Sequence, residues 1–138
     1  MVLTIKDAFD AEMAGARDAY IKADYDTAFN RLKRAHILGQ RNFLHHWSTH
    51  WWMLKSGLRM QDKREVVGQI IRLVAVIPGF VFGWVPVGNT GAAEVSALKP
   101  MPLPEDLKSV LGKFSVWNDV LQRAALGLVV VILMLALR

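Results

Sequence analysis

Apolar residues recur every three to four positions along most of the chain, which predicts an all-α protein. Phe9, Met13, Ala16 and Tyr20 make the inner stripe of a helix that opens at Thr4 and runs to about Ile21. Asp24 stands where it can cap a second helix to Leu38, with Tyr25, Ala28, Leu32 and Ala35 turned inward. The small alanines let the two helices approach closely, as in a tetratricopeptide-like hairpin. No second copy follows about 34 residues later, so this is one hairpin and not a repeat array. Gly39 closes the second helix, and a third runs from about Arg41 to Ser56 before Gly57. Asp62 and Glu65 form a capping-box pattern for a fourth helix, Lys63–Ile77, which Pro78 and Gly79 should break or kink. A turn-rich loop covers 88–104, and Pro104-Glu105-Asp106 begins a short helix to about Gly112.

Two segments depart from this alternation by being apolar almost throughout, Val66–Val87 and Ala124–Leu137. They raise the hydrophobic share to 53% of the 138 residues, high for a soluble domain. The run GLVVVILMLAL has no polar face and must be covered on every side. The 14 apolar residues Ala124–Leu137 span about 21 Å against a hydrocarbon core of about 30 Å. Counted from Val116 the helix reaches 22 residues, but takes in Asn118, Asp119, Gln122 and Arg123. The expected organisation is a helical domain over 1–112, with a membrane-contacting part at 66–87, followed by a hydrophobic helix over 113–138 acting as a membrane anchor.

Charge supports that orientation. The net charge of +5 is concentrated in Arg31, Lys33, Arg34, Arg41, Lys55, Arg59, Lys63 and Arg64, with Asp62 the one acid among them. A basic stretch before an apolar segment fits the positive-inside rule and attraction to anionic headgroups. No nucleic-acid motif accompanies it, so nucleic acid is not an expected partner. Lys6, Asp7, Asp10 and Glu12 occupy the place where a signal peptide needs an apolar run. The expectation is a bacterial inner-membrane protein with its N-terminal domain cytoplasmic. Its partners would be membrane lipid and a larger membrane-protein complex.

The chemistry centres on His45-His46-Trp47-Ser48-Thr49-His50-Trp51-Trp52, with His36 the only other histidine. The chain has no cysteine, so a metal must be held by nitrogen and oxygen. His46 and His50 lie one helical turn apart. His36 shares the inner face of its helix with Phe29 and Leu32, and Glu12 lies between Phe9 and Ala16. Antiparallel helices could bring Glu12, His36, His46 and His50 together as ligands for iron, zinc or copper. Glu65 is a fifth candidate or a group orienting a histidine, and Gln69 and Arg72 continue its polar row toward the cluster. Haem on His46 or His50 is the weaker alternative, without an attachment motif. Residue 47 is Trp and not Glu, so the zinc-protease pattern HExxH is absent. His45, about 100° from His46, is expected to face outward, and Trp47 to join Phe43 and Leu54 on the inner stripe. Trp51, Trp52, Trp84 and Trp117 suit an interfacial belt or a partner surface. GNTG lacks the lysine and helix of a phosphate loop and reads as a turn.

Five ordered strings carry a resemblance: RAHILGQ (Arg34–Gln40), His46 and His50 before Met53-Leu54, EVVGQIIR (Glu65–Arg72), PVGNTG (Pro86–Gly91) and MPLPEDL (Met101–Leu107). Over about residues 5–110 the chain resembles a small bacterial family catalogued as a domain of unknown function. The resemblance implies no activity. Two functions follow from the residues: a membrane-associated protein with a histidine/carboxylate metal site, or a non-catalytic accessory subunit or assembly scaffold of a larger membrane complex.

Overall fold

Thr4 caps the first helix through a reciprocal pair of bonds, its hydroxyl accepting from the Asp7 amide while the Asp7 carboxylate accepts from the Thr4 amide. A computed structural model describes residues 3–112 and 116–137, without the side chains of 116–119. The described residues form six helices: α1 Ile5–Ile21, α2 Tyr25–Gly39, α3 Phe43–Arg59, α4 Lys63–Phe82, α5 Glu105–Leu111 and α6 Val116–Ala136. The all-α expectation holds. The expected boundary between 112 and 113 abuts residues 113–115, which lie outside the described residues.

Close packing of α1 on α2 rests on small side chains: Ala16, Ala28 and Ala35 are buried. Phe9 and Met13 of α1, Leu32 and Leu38 of α2, Met53 of α3 and Leu107 and Val110 of α5 join them in one core. Each large side chain so buried contributes roughly 1.5–3 kcal/mol of transfer free energy. Arg34 fastens the outer edge, donating to Glu12 of α1 at 2.6 Å and to Asp106 of α5.

Two helices run further than their breakers suggest. α3 continues through Gly57 to Arg59 because that glycine serves close approach: a Cβ there would sit 3.2 Å from Cγ of Glu65 on α4. α4 continues through Pro78 to Phe82 and ends at Gly83, whose φ of 70° is the left-handed stop. The bond Pro78 cannot make would run to the carbonyl of Val74, a residue on the exposed face.

α4 is 20 residues long and apolar enough to cross a membrane by length and composition, yet only 28% of its most apolar stretch is buried. Val67, Ile70, Ile71, Val74 and Ile77 form its outward stripe. The apolar part of α6, Val120–Ala136, is shorter and lies beside α4, with its aliphatic side chains from Leu128 to Leu135 exposed. By length, α4 is the stronger candidate for crossing a bilayer, whereas the sequence pointed first to the tail.

Candidate metal centre

Three buried imidazoles meet where α2, α3 and α4 pack beside the loop that follows α4. His36 comes from α2, and His46 and His50 come from successive turns of α3. Nε2 of His50 lies 3.2 Å from Nε2 of His36 and 3.0 Å from Nε2 of His46. One nitrogen from each residue falls within 4.8 Å of the others, so the triad could hold a metal ion. Ligand nitrogens about 2.0–2.1 Å from a tetrahedral ion stand about 3.3 Å apart, close to the two distances from His50 Nε2, while the triad as a whole spans up to 4.8 Å.

The far side of two rings decides which nitrogen is free. His36 Nδ1 lies 2.7 Å from the backbone carbonyl of Asn89, which can only accept, so Nδ1 carries the proton and Nε2 a lone pair. His50 Nδ1 lies 2.6 Å from Oε1 of Gln69. The Gln69 amide nitrogen donates to Glu65 and to the carbonyl of Gly91, so its oxygen is the atom facing His50. His50 Nδ1 therefore donates, and its Nε2 also carries a lone pair. Two lone pairs thus oppose each other at 3.2 Å. Burial opposes relieving this by protonation: it lowers His36 to about 4 and takes His46 and His50 well below the ordinary histidine range. A shared Lewis acid satisfies both lone pairs at once. Among the described residues, His46 Nδ1 has no hydrogen-bond partner.

The outer residues hold this arrangement. Glu65 takes bonds from Gln69 and from the Ala93 amide, so it orients His50 at one remove. Its carboxylate is therefore turned inward and leaves the capping box half made: Asp62 caps the Glu65 amide, but Glu65 does not reach back. Asn89 pins the loop, donating to the carbonyls of Ser96 and Lys99 and accepting from the Gly91 amide. Gly91 lies against the His36 ring, where a Cβ would come within 2.5 Å, and its φ of 76° excludes most other residues. Arg72 donates to the carbonyls of Ala92 and Val95. The triad opens on a cavity of about 100 Å³ whose wall includes Arg72, Ala75, Val76, Trp84 and Val85.

Several sequence expectations are corrected here. Glu12 does not reach the histidines, because Arg31 and Arg34 bind its carboxylate on the far side of α2. His45 is half-buried and not outward, its ring stacked on Phe9 with centroids 4.0 Å apart. Trp47 is exposed and leaves the inner stripe, stacking on Trp51 at 6.1 Å. Trp52 is half-buried against the core, with the Lys55 ammonium 3.6 Å from its ring centre. Trp51 and Trp84 are exposed as an interface requires, while the side chain of Trp117 lies outside the described residues. Asn89 is the residue the sequence reading missed, since GNTG read only as a turn.

A family model described as Protein of unknown function (DUF3703) matches residues 3–111. The chain belongs to this DUF3703 family. The match contains the triad, Gln69, Asn89 and the cavity wall, while α6 lies outside it. No curated protein and no solved structure matches the chain.

Proposed function

We propose that this DUF3703 protein is a membrane-associated metal-binding protein, with His36, His46 and His50 holding one divalent transition metal through their Nε2 atoms. The observation that carries the reading is the pair of opposed lone pairs on His36 and His50, each fixed by a bond to the other ring nitrogen. An all-imidazole set suits zinc, copper or iron(II). Glu65 belongs to the outer support of the site. A haem is disfavoured by size, because a cavity of about 100 Å³ falls well below the roughly 300–1,000 Å³ of ordinary cofactor pockets.

Membrane association rests on the outward stripe of α4 and the exposed aliphatic side chains of α6. Together they exceed what a monomeric soluble protein leaves in water. The exposed Arg59 at the end of α3, with Lys63 and Arg64 at the start of α4, would meet anionic headgroups.

Elemental analysis of the intact chain, purified in mild detergent, tests the metal reading. About one metal per chain is expected, with loss in His46→Asn and His50→Asn while circular dichroism stays helical. A chain that is metal-free as isolated, and takes up no zinc, copper, iron or cobalt when supplied, ends it. Flotation with vesicles containing anionic phospholipid tests the second part. Recovery in the lipid-free fraction would sink it.

A further inference from the structure

Three protein nitrogens leave a tetrahedral ion to take its fourth ligand from outside the chain. The triad faces the cavity beneath Trp84 and Val85, so that ligand must come from there. Charge bears on what it is. Neutral imidazoles leave a divalent ion its full charge, and the Arg72 cation on the wall of the same cavity adds to it. Glu65 returns one negative charge, but it bonds to Gln69 and Ala93 and reaches His50 only through Gln69. With a metal bound, the site and its half-buried Arg72 would therefore carry excess positive charge, which is costly without a counter-ion.

Size narrows the choice. The cavity holds about 100 Å³ and opens past the exposed Trp84 and Leu98, whereas an enclosed cavity of roughly 150 Å³ is known to admit benzene. Apart from Asn89, its remaining walls are apolar, with Ala75, Val76 and Val85 among them, and offer little to a large hydrated ion.

Resting on the metal reading, we propose that the cavity is a binding site for a small monovalent anion of about three heavy atoms or fewer, which coordinates the triad-bound metal beside Arg72. The ligand class is that of azide, cyanate, formate or a halide. Ala75 sets the room available, and Arg72 supplies the charge preference.

The test uses the full chain loaded with cobalt(II), whose visible absorption reports its coordination. Azide should shift the spectrum saturably, while benzoate, too large for the cavity, leaves it unchanged. Arg72→Gln should weaken azide binding at least tenfold. Arg72→Lys, which keeps the charge, should stay within about threefold of the parent chain. Ala75→Phe should retain one cobalt per chain and lose the azide response, which separates a filled cavity from a damaged metal site. If cobalt binds and azide leaves the spectrum unmoved, or Ala75→Phe responds like the parent chain, the anion site is refuted while the metal site stands. Benzoate acting as well as azide also overturns it. Failure to bind any cobalt removes the metal reading, and this inference with it.

Discussion

Residue by residue, the site depends as much on the groups behind the imidazoles as on the imidazoles themselves. Gln69→Leu keeps the helix and removes the acceptor that fixes His50. Its expected effect is a 10- to 100-fold loss of metal affinity, measured by competition with a chromophoric chelator. Gly91→Ala places a methyl against the His36 ring and strains a backbone at φ 76°. It should lower metal content at constant helicity and reduce stability by about 1–3 kcal/mol in urea unfolding. In the metal-free protein the three histidines also confer a pH dependence. Burial holds His36 near 4 against an ordinary 6.5, so the unfolded chain takes up protons first as the solution is acidified. Stability is full above pH 6.5 and drains away toward pH 4, by about 3 kcal/mol for His36 alone. Urea midpoints across that range measure it, and a flat profile would contradict it. Gln69 was legible in the sequence because a polar residue in an apolar helix needs a partner. Asn89 was not, because it acts through a backbone carbonyl that every residue possesses. Glu12 was misplaced for a related reason: helical spacing fixes a face, but not the neighbour that covers it, and here that neighbour is Arg31 and Arg34.

At the level of elements, the starts were legible, and so were the ends of α1, α2 and α5, but the ends of α3 and α4 were not. Thr4, Asp24 and Asp62 each announce a helix with a side chain that accepts a backbone amide bond, and each does so in the structure. Thr4→Ala should cost about 1 kcal/mol, read as a lower midpoint for thermal loss of helicity. Gly57 and Pro78 were read as stops, but the first accommodates a neighbour and the second tolerates one missing bond on an exposed face. α3 shows how an apolar stripe misleads. Leu44, Trp47, Trp51 and Leu58 recur at helical spacing just as His46, His50 and Met53 do, and both stripes qualify as inner faces by composition. The buried one is the one that carries the polar groups, because those groups bond to one another.

The molecule as a whole divides into a compact helical region around α1, α2, α3 and α5 and an apolar flank made by α4 and α6. That division was legible from hydropathy alone, since the flank comprises the two segments that lose their polar face. The identity of the longer apolar helix was not, because it depended on whether Pro78 would end α4. α4 belongs to both parts, with Gln69 facing the triad and Ile70 and Ile71 facing outward.

The loop between α4 and α5 supplies the Asn89 and Gly91 carbonyls that fix His36 and Gln69. No metal can therefore be gripped in full geometry unless this loop is in place, and the loop gains stability from every ion that is. Occupancy and local folding are linked, so a bound metal at 100 times its dissociation constant would favour the closed loop by about 2.7 kcal/mol. Limited proteolysis should show it. Chymotryptic cleavage after the exposed Leu98 is expected to be fast in chelator and slowed about 100-fold on metal addition, while cleavage after the exposed Leu3 should not change. Equal rates at Leu98 with and without metal would show that the loop stands independently of the ion. With metal-dependent protection, the turn that looked like mere punctuation is the protein's gauge of metal supply, converting a free-ion concentration into susceptibility to degradation.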